Sequence, residues 1–379
     1  MSNRPKILHL NTVADIRNGV GGIVMSLAKY ASDYGMIARV FSGYGNSQGS
    51  HYVAQGRLRY CLNVFKCRCG GDDGFLKSTT TQRLNRLIAA EKPDLIHLHN
   101  LHGYYCDLPS LKAAITELGV PVVVTMHDLW LATGRCAYPS DDCIERHVDC
   151  KKCTERSRYP ATWLGRNSRK DEKSDFLSGM NVVVPSRWMA KRVQQLIGIN
   201  PLIIPNGVNK NIFNINEAGI TERKKQLLAV ATKWNNVKGV DDLICLAEKL
   251  PHDWNIVMVG KNVPKHPKIA KTGYIDSREA MAKLMKESAA IVSAARHEAY
   301  GMAVAEALSA GTPAIVRRAT APAEFLPDIR FAVDFSKPEK VVALLDLLDE
   351  YQMADTILSD QDMAERYFEL YKSLLEHEP

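Results

Sequence analysis

The sequence predicts an α/β protein made of two doubly wound, Rossmann-like parallel-sheet domains. Short apolar runs alternate with longer amphipathic stretches from one end to the other, the pattern of buried parallel strands joined by crossover helices. The length of 379 residues, at about 150 residues per domain, gives about two and a half domains. One polar, Asn-rich stretch near the middle interrupts the alternation, which then restarts. With 46% hydrophobic and 24% charged residues the chain can bury ordinary cores and keep a wet surface. No run approaches the roughly 18 to 20 apolar residues that span a bilayer. The start, MSNRPKILHLN, reads as neither signal peptide nor anchor, so a cytoplasmic protein with reduced cysteines is expected.

In chain order, KILHL, GIVMSLAKYASDYG and IARVFS read as strand, helix and strand. LIHLH, SLKAAITEL and VPVVVTM repeat the unit, and MNVVVP, SRWMAKRVQQLI and PLIIP close a first domain over 1–205. Ser186 reads as an N-cap. The stretch NGVNKNIFNINEAGITERKK lacks apolar periodicity and is the best linker candidate. Beyond it, QLLAVAT, GVDDLICLAEKL, WNIVMVG, a helix from Arg278 to Glu287, AAIVSAA, MAVAEALSAG and PAIVR make a second domain over 206–379. Two helical patterns, VVALLDLLDEY and DMAERYFELYKSLL, form its tail, and the last helix is expected to pack back on the first domain.

Open parallel sheets carry their chemistry at the carboxyl ends of the strands, where loops and helix amino ends converge. The strongest pattern follows AAIVSAA: Glu298 in the strand-to-helix loop, then Tyr300, Gly301 and Met302, then Glu306 eight residues on inside the helix. Gly301 lets a ligand approach backbone N–H groups able to hold a diphosphate. Two flanking carboxylates suit a sugar nucleotide, one for sugar hydroxyls and one for the ribose diol. Solvated helix faces also produce such a spacing. Its place between a buried strand and a helix ending in Gly311-Thr312-Pro313 strengthens the functional reading.

The segment SAARHEAYGMAVAEALSAGTPAIV resembles the donor-binding signature of glycosyltransferase family 4, retaining enzymes of two-domain GT-B architecture whose domains face a cleft. The likeness covers nearly the whole chain, through KILHLN, Gly21-Gly22, HLHN, TMHD, IPNGVN, VKG, MVG and YFELYKSLL. HDLWLATGRCAYPSDDC followed by CKKC is similar to the cysteine-bearing segment of the branch that builds colanic acid and O-antigen polysaccharides. The resemblance implies transfer of a hexose from a nucleotide diphosphate sugar to a saccharide acceptor on a lipid diphosphate, without a catalytic metal.

Carried over residue by residue, it places Glu298 on the donor sugar, Glu306 on the ribose, and Lys238 on the diphosphate. Lys233 stands where many members have Arg, and it supplies a point charge in place of a planar fork. Each lysine also fits an ordinary exposed position at a strand end or helix start. His127 matches the first-domain histidine that faces the donor sugar; alternatively, Asp128 or a backbone carbonyl simply satisfies it. Of His97 and His99, alternating on one strand, His99 lies nearer the strand end and is the better site candidate. Gly21 and Gly22 open a helix, as a phosphate or acceptor loop or as plain loop-to-helix entry. Asn206 begins a turn and, secondarily, borders the donor. The family's glycines around Glu324 are missing, so that loop is left unassigned.

Cys136, Cys143, Cys150 and Cys153 are spaced C-x6-C-x6-C-x2-C. They are read as a structural zinc site, as buried thiols, or as a disulfide. The formal charge of +7 is concentrated between Arg146 and Lys173, where nine cations meet four acids for a local net of +5. That segment is either a solvated loop or a contact for an anionic membrane surface. No interleaved aromatic and basic patch suggests nucleic-acid binding. Other readings are a non-catalytic nucleotide-sugar or polyanion binder and another GT-B enzyme such as an epimerase.

Overall fold

The computed structural model describes residues 4–15, 19–45, 51–69, 72–145, 150, 153, 159–161, 168–214, 223–353 and 355–376. The chain divides into two compact units, 1–205 with 361–379, and 206–360.

The first unit holds a sheet of seven parallel strands: β1 (Lys6–Val13), β2 (Ile37–Tyr44), β3 (His51–Val53), β4 (Leu95–Leu98), β5 (Val122–Thr125), β6 (Asn181–Val184) and β7 (Leu202–Ile203). Their order is β3-β2-β1-β4-β5-β6-β7. The central strands β4 and β5 are buried at every position, as strands covered on both faces must be. The helices are α1 (Gly19–Tyr30), α2 (Arg57–Arg68), α3 (Thr79–Glu91), α4 (Leu108–Leu118), the short α5 (Asp141–Glu145), α6 (Lys170–Leu177) and α7 (Arg187–Ile197). Ser78, Asp107 and Ser186 accept from amides in the first turns of α3, α4 and α7, stopping the chain from continuing as strand. Helices α2 and α3 fill a stretch whose sequence pattern gave no element, because cations interrupt the apolar positions of α2.

The second unit holds six parallel strands: β8 (Lys224–Lys233), β9 (Asn255–Lys261), β10 (Ile269–Gly273), β11 (Ser288–Ser293), β12 (Ala314–Arg317) and β13 (Ala332–Val333), ordered β10-β9-β8-β11-β12-β13. Its helices are α8 (Val240–Lys249), α9 (Arg278–Glu287), α10 (Met302–Ser309) and α11 (Pro338–Ala343). The expected linker is partly structure. Val208 and Phe213 are 1% and 0% exposed in the second core, Val208 N–H donates to the Leu358 carbonyl, and Lys224 and Lys225 already belong to β8.

The last helix, α12 (Asp360–Glu376), is grouped from Gln361 onward with the first unit. Tyr367, Phe368 and Tyr371 are fully buried there. The Tyr371 hydroxyl meets His97 Nδ1 at 2.5 Å, Tyr367 meets Thr125 Oγ1 at 2.9 Å, and Phe368 stacks on Tyr34 with centroids 4.7 Å apart. These bonds satisfy hydroxyls and an imidazole that would otherwise cost about 1–3 kcal/mol each when buried.

One glycine fixes where a strand-end loop of the second unit sits. Gly239 has φ +68°, and an added Cβ would lie 2.1 Å from the Ala294 carbonyl oxygen. Gly273 has a comparable φ of +79° with nothing within 4 Å. Gly273→Ala should therefore cost only the left-handed backbone penalty, about 1–2 kcal/mol. Gly239→Ala adds a backbone collision and should lower thermal stability clearly more; equal losses in a melting experiment would refute the close approach.

Candidate functional site

In the second unit the residues after β8 and β11 meet. The Arg296 N–H donates to the Val237 carbonyl at 2.8 Å, strapping the loop before α8 to the end of β11. The strap and Gly239 together bring Lys238 to Glu298, whose Oε2 accepts from Lys238 Nζ at 2.7 Å. Both side chains keep partial exposure, 34% and 22%, so the pair is reachable by a ligand. Arg296 and Arg317 are committed elsewhere, both bonding Asp242 Oδ2 in the first turn of α8. Lys233, at the end of β8, is exposed.

Gly301 caps α10 with φ +91°, and an added Cβ would meet Pro322 Cγ at 2.5 Å. Its carbonyl accepts from the amides of Val304 and Ala305, which leaves the amides of Met302 and Ala303 ahead of the first intrahelical acceptor. Such an amino end attracts an anion. Tyr300 is buried and packs on Phe325, with centroids 5.1 Å apart. Glu306 is 5% exposed; burial raises its pKa against the opposing pull of Arg278, whose guanidinium bonds Oε1 at 2.6 Å. Arg278 in turn lies over the Phe213 ring at 4.8 Å. Glu306 is thus not the open carboxylate its spacing suggested, since one oxygen is held by a cation the sequence pattern did not flag. Asn206 is buried with Oδ1 lacking a hydrogen-bond partner.

The first unit gathers four histidines: His9 and His97, paired across β1 and β4, and His99 and His127, just past the ends of β4 and β5. His99 Nδ1 meets His127 Nε2 at 3.1 Å and His99 Nε2 meets His9 Nδ1 at 3.4 Å. His127 is satisfied by neither Asp128 nor a carbonyl. Asp128 pairs with His102 at 2.7 Å, and His102 also meets the Tyr159 hydroxyl at 3.0 Å. Burial lowers His9 to about 3 and His127 to about 4, and holds His97 and His99 well below the usual range, so all four are neutral. His102 is pulled down by burial but raised overall by Asp128. His97 turns inward, with Nε2 on Thr125 Oγ1 at 2.7 Å and Nδ1 on Tyr371. Gly21 and Gly22 lie inside the first turn of α1, which begins at Gly19 instead of after them.

Among the described residues, Cys136, Cys143, Cys150 and Cys153, the expected zinc ligands, supply no trio of candidate ligand atoms within 4.8 Å of one another. All nine cysteines carry thiols, which also removes the disulfide. Cys136 is buried while Cys143, Cys150 and Cys153 are half-buried. Among the described residues, the one trio of candidate ligand groups within 4.8 Å is His9, His97 and His99. Both nitrogens of His97 are already hydrogen-bonded.

Most of the basic segment, at 146–149, 151–152, 154–158 and 162–167, lies outside the described residues. Lys173, counted among its surface cations, is 1% exposed. Its Nζ donates to the carbonyls of Trp130 and Thr133 and sits 3.9 Å over the Trp130 ring, and burial pulls its pKa to about 7. It cannot meet a membrane. It lines a cavity of about 20 Å³, room for about one water, with Cys67, Asp73, Tyr104 and Arg169. Asp73 accepts from the Gly103 and Tyr104 amides at 2.8 Å, and burial raises its pKa. His9, His102, Asp73 and Lys173 carried no local sequence signal, since their partners are remote in the chain.

The Glycosyltransferase Family 4 model matches residues 17–211, and the model for glycosyl transferases group 1 matches 211–361. The putative colanic acid biosynthesis glycosyl transferase WcaC of Escherichia coli (strain K12) is 24% identical, over 94% of this chain and 97% of that protein. Among solved structures, a glycosyltransferase from Rickettsia africae superposes with a TM-score of 0.64 at 16% identity, covering 99% of this chain and 100% of that one. HepE from Anabaena, in complex with UDP and glucose, superposes with a TM-score of 0.66 at 13% identity, covering 97% and 100%. Sucrose-phosphate synthase from Thermosynechococcus elongatus gives 0.68 at 15% identity, covering 98% and 100%. With two parallel-sheet units of GT-B type and a family model over more than half its length, this chain belongs to glycosyltransferase family 4 and is related to a colanic acid biosynthesis enzyme.

Proposed function

We propose that this glycosyltransferase moves a hexose, with retention at the anomeric carbon, from a nucleotide diphosphate sugar to a saccharide acceptor carried on a lipid diphosphate, in surface polysaccharide synthesis. The observation that carries the reading is the half-buried Lys238–Glu298 pair at 2.7 Å beside the amino end of α10. A cation, a carboxylate and open amides at one strand end suit a diphosphate bonded to a polyhydroxylated ring. The UDP and glucose bound by HepE support the same donor chemistry.

In this reading the anomeric C–O bond to the diphosphate breaks, and the nucleoside diphosphate leaves with the bonding electrons. The acceptor oxygen bonds the anomeric carbon, and its proton leaves with the diphosphate. Lys238, Lys233 and the α10 amides hold the diphosphate as its charge grows. Tyr300, Gly301 and Met302 border it, Glu298 orients the donor sugar, and Glu306 takes the ribose beside Arg278. Asn206 Oδ1, buried and unsatisfied, is assigned a donor hydroxyl. In the first unit, neutral His127 is assigned to a sugar hydroxyl, with His99 behind it and Gly21 and Gly22 toward the acceptor.

Lys238→Ala should lower kcat about a hundredfold to a thousandfold at saturating donor, the usual loss for one preorganised contact to developing charge. Near wild-type turnover in a donor-release assay would sink the assignment. Glu306→Gln should act differently, raising donor KM with a smaller change in kcat, because a ribose contact is equally strong in the ground and transition states. Steady-state kinetics on both variants separates the roles. NMR of the product anomer distinguishes retention from inversion. Nucleotide binding without turnover or slow donor hydrolysis would instead favour a non-catalytic binder.

A further inference from the structure

Among the described residues Glu306 is the one buried glutamate, and it is satisfied on one side only. Buried Asp73 and Asp128 each accept at both carboxylate oxygens. Glu306 accepts at Oε1, from Arg278 at 2.6 Å, and its Oε2 has no hydrogen-bond partner among the described residues. The local structure explains how that arginine comes to lie there. Ser277 caps α9 by accepting from the Ala280 amide at 3.1 Å, which makes Arg278 the first residue of the helix. Near the other end of α9, Thr312 Oγ1, from the turn after α10, donates to the Met285 carbonyl at 2.8 Å and ties the two helices side by side. The guanidinium is then pinned twice, on Glu306 and over the fully buried Phe213 ring at 4.8 Å.

We propose that Arg278 is a positioning residue for the nucleotide: it holds Oε1 of Glu306 so that Oε2 meets the hydroxyls of the donor ribose. The inference rests on the ribose reading of Glu306 and adds what makes that carboxylate fit to bind. A carboxylate accepts from hydroxyls with both oxygens, whereas a protonated carboxyl carries an O–H of its own and competes with them. Burial raises the pKa of Glu306, and Arg278 is the group that opposes the rise. The other elements packed on α10 offer no substitute. Neither α10 nor β11 holds another charged residue. Arg317, which ends β12, is bonded to Asp242 and to the Ala294 carbonyl. On α9, Glu279 accepts from Ser277, while Lys283, Lys286 and Glu287 lie toward the opposite end, with Glu287 paired to Lys224. Phe213 in turn keeps the guanidinium from swinging away.

The test is calorimetric titration of the whole chain with UDP and with GDP between about pH 5 and 8. Arg278→Gln keeps an amide able to donate to Oε1 but removes the charge, so the carboxyl pKa rises further. The binding form is the carboxylate, so affinity is kept above that pKa and lost as pH falls through it. Arg278→Gln should therefore bind close to wild type at the alkaline end and lose up to about tenfold per pH unit, from a higher onset than wild type. Arg278→Lys restores the charge and should move the onset back. Glu306→Gln should bind more weakly with no such onset, and adding Arg278→Gln to it should cost nothing further. A loss in Arg278→Gln that is equal at every pH, or that adds in full to that of Glu306→Gln, marks a merely structural arginine and overturns the inference. If Arg278→Gln does not fold, Arg278→Lys decides: any loss it shows must vanish on the Glu306→Gln background. Binding by Glu306→Gln equal to wild type, or no binding of either nucleotide by wild type, defeats the ribose reading itself and the inference with it.

Discussion

The second unit depends on one approach of backbone to backbone, that of Gly239 to the Ala294 carbonyl. Parallel strands end wherever their crossovers lift away, and nothing in the sheet itself requires two neighbouring loops to touch. Without a Cβ at 239, the loop before α8 can lie against the end of β11, and the Arg296 amide then closes on the Val237 carbonyl. A cation and a carboxylate from segments about 60 residues apart (a separation of 60 between Lys238 and Glu298) thereby share a hydrogen bond. Gly301 works the same way beside Pro322, allowing α10 to begin close to that pair. The charges offered to a ligand are therefore placed by missing side chains as much as by those present.

The fold was largely legible because its signal is local. Residues 122–124 and 182–184, all valine, are buried on both faces and read as uninterrupted apolar runs. The stretch before Leu95 was not legible, since α2 turns its apolar stripe outward and its polar Asn63 inward, inverting the pattern that marks an ordinary surface helix. The linker was misjudged for a related reason. Two apolar residues, Val208 and Phe213, suffice to seat a polar segment, and two residues make no period.

The candidate site divides the same way. Glu298, Gly301 and Glu306 lie on one strand, loop and helix, so their spacing survives into three dimensions. Arg278, which holds Glu306, comes from the preceding helix and has no fixed offset. His9 and His97 are aligned only because β1 pairs with β4, 88 residues apart in number. Lys173 shows the limit of counting charge: a net of +5 over a segment says nothing about which ammonium folds under a tryptophan ring. The relation to a colanic acid enzyme narrows the chemistry, yet contacts made by sheet pairing still had to come from the structure.

The chain from His9 through His99 to His127 has a consequence for proton bookkeeping. Three neutral imidazoles hold three protons on six nitrogens, and the two bonds between them use two protons and two lone pairs. One N–H and one lone pair are left, necessarily at opposite ends. Those ends are His9 Nε2 and His127 Nδ1, both buried and without a partner. The tautomer of His127 is then not its own choice: reversing it requires both neighbours to reverse together.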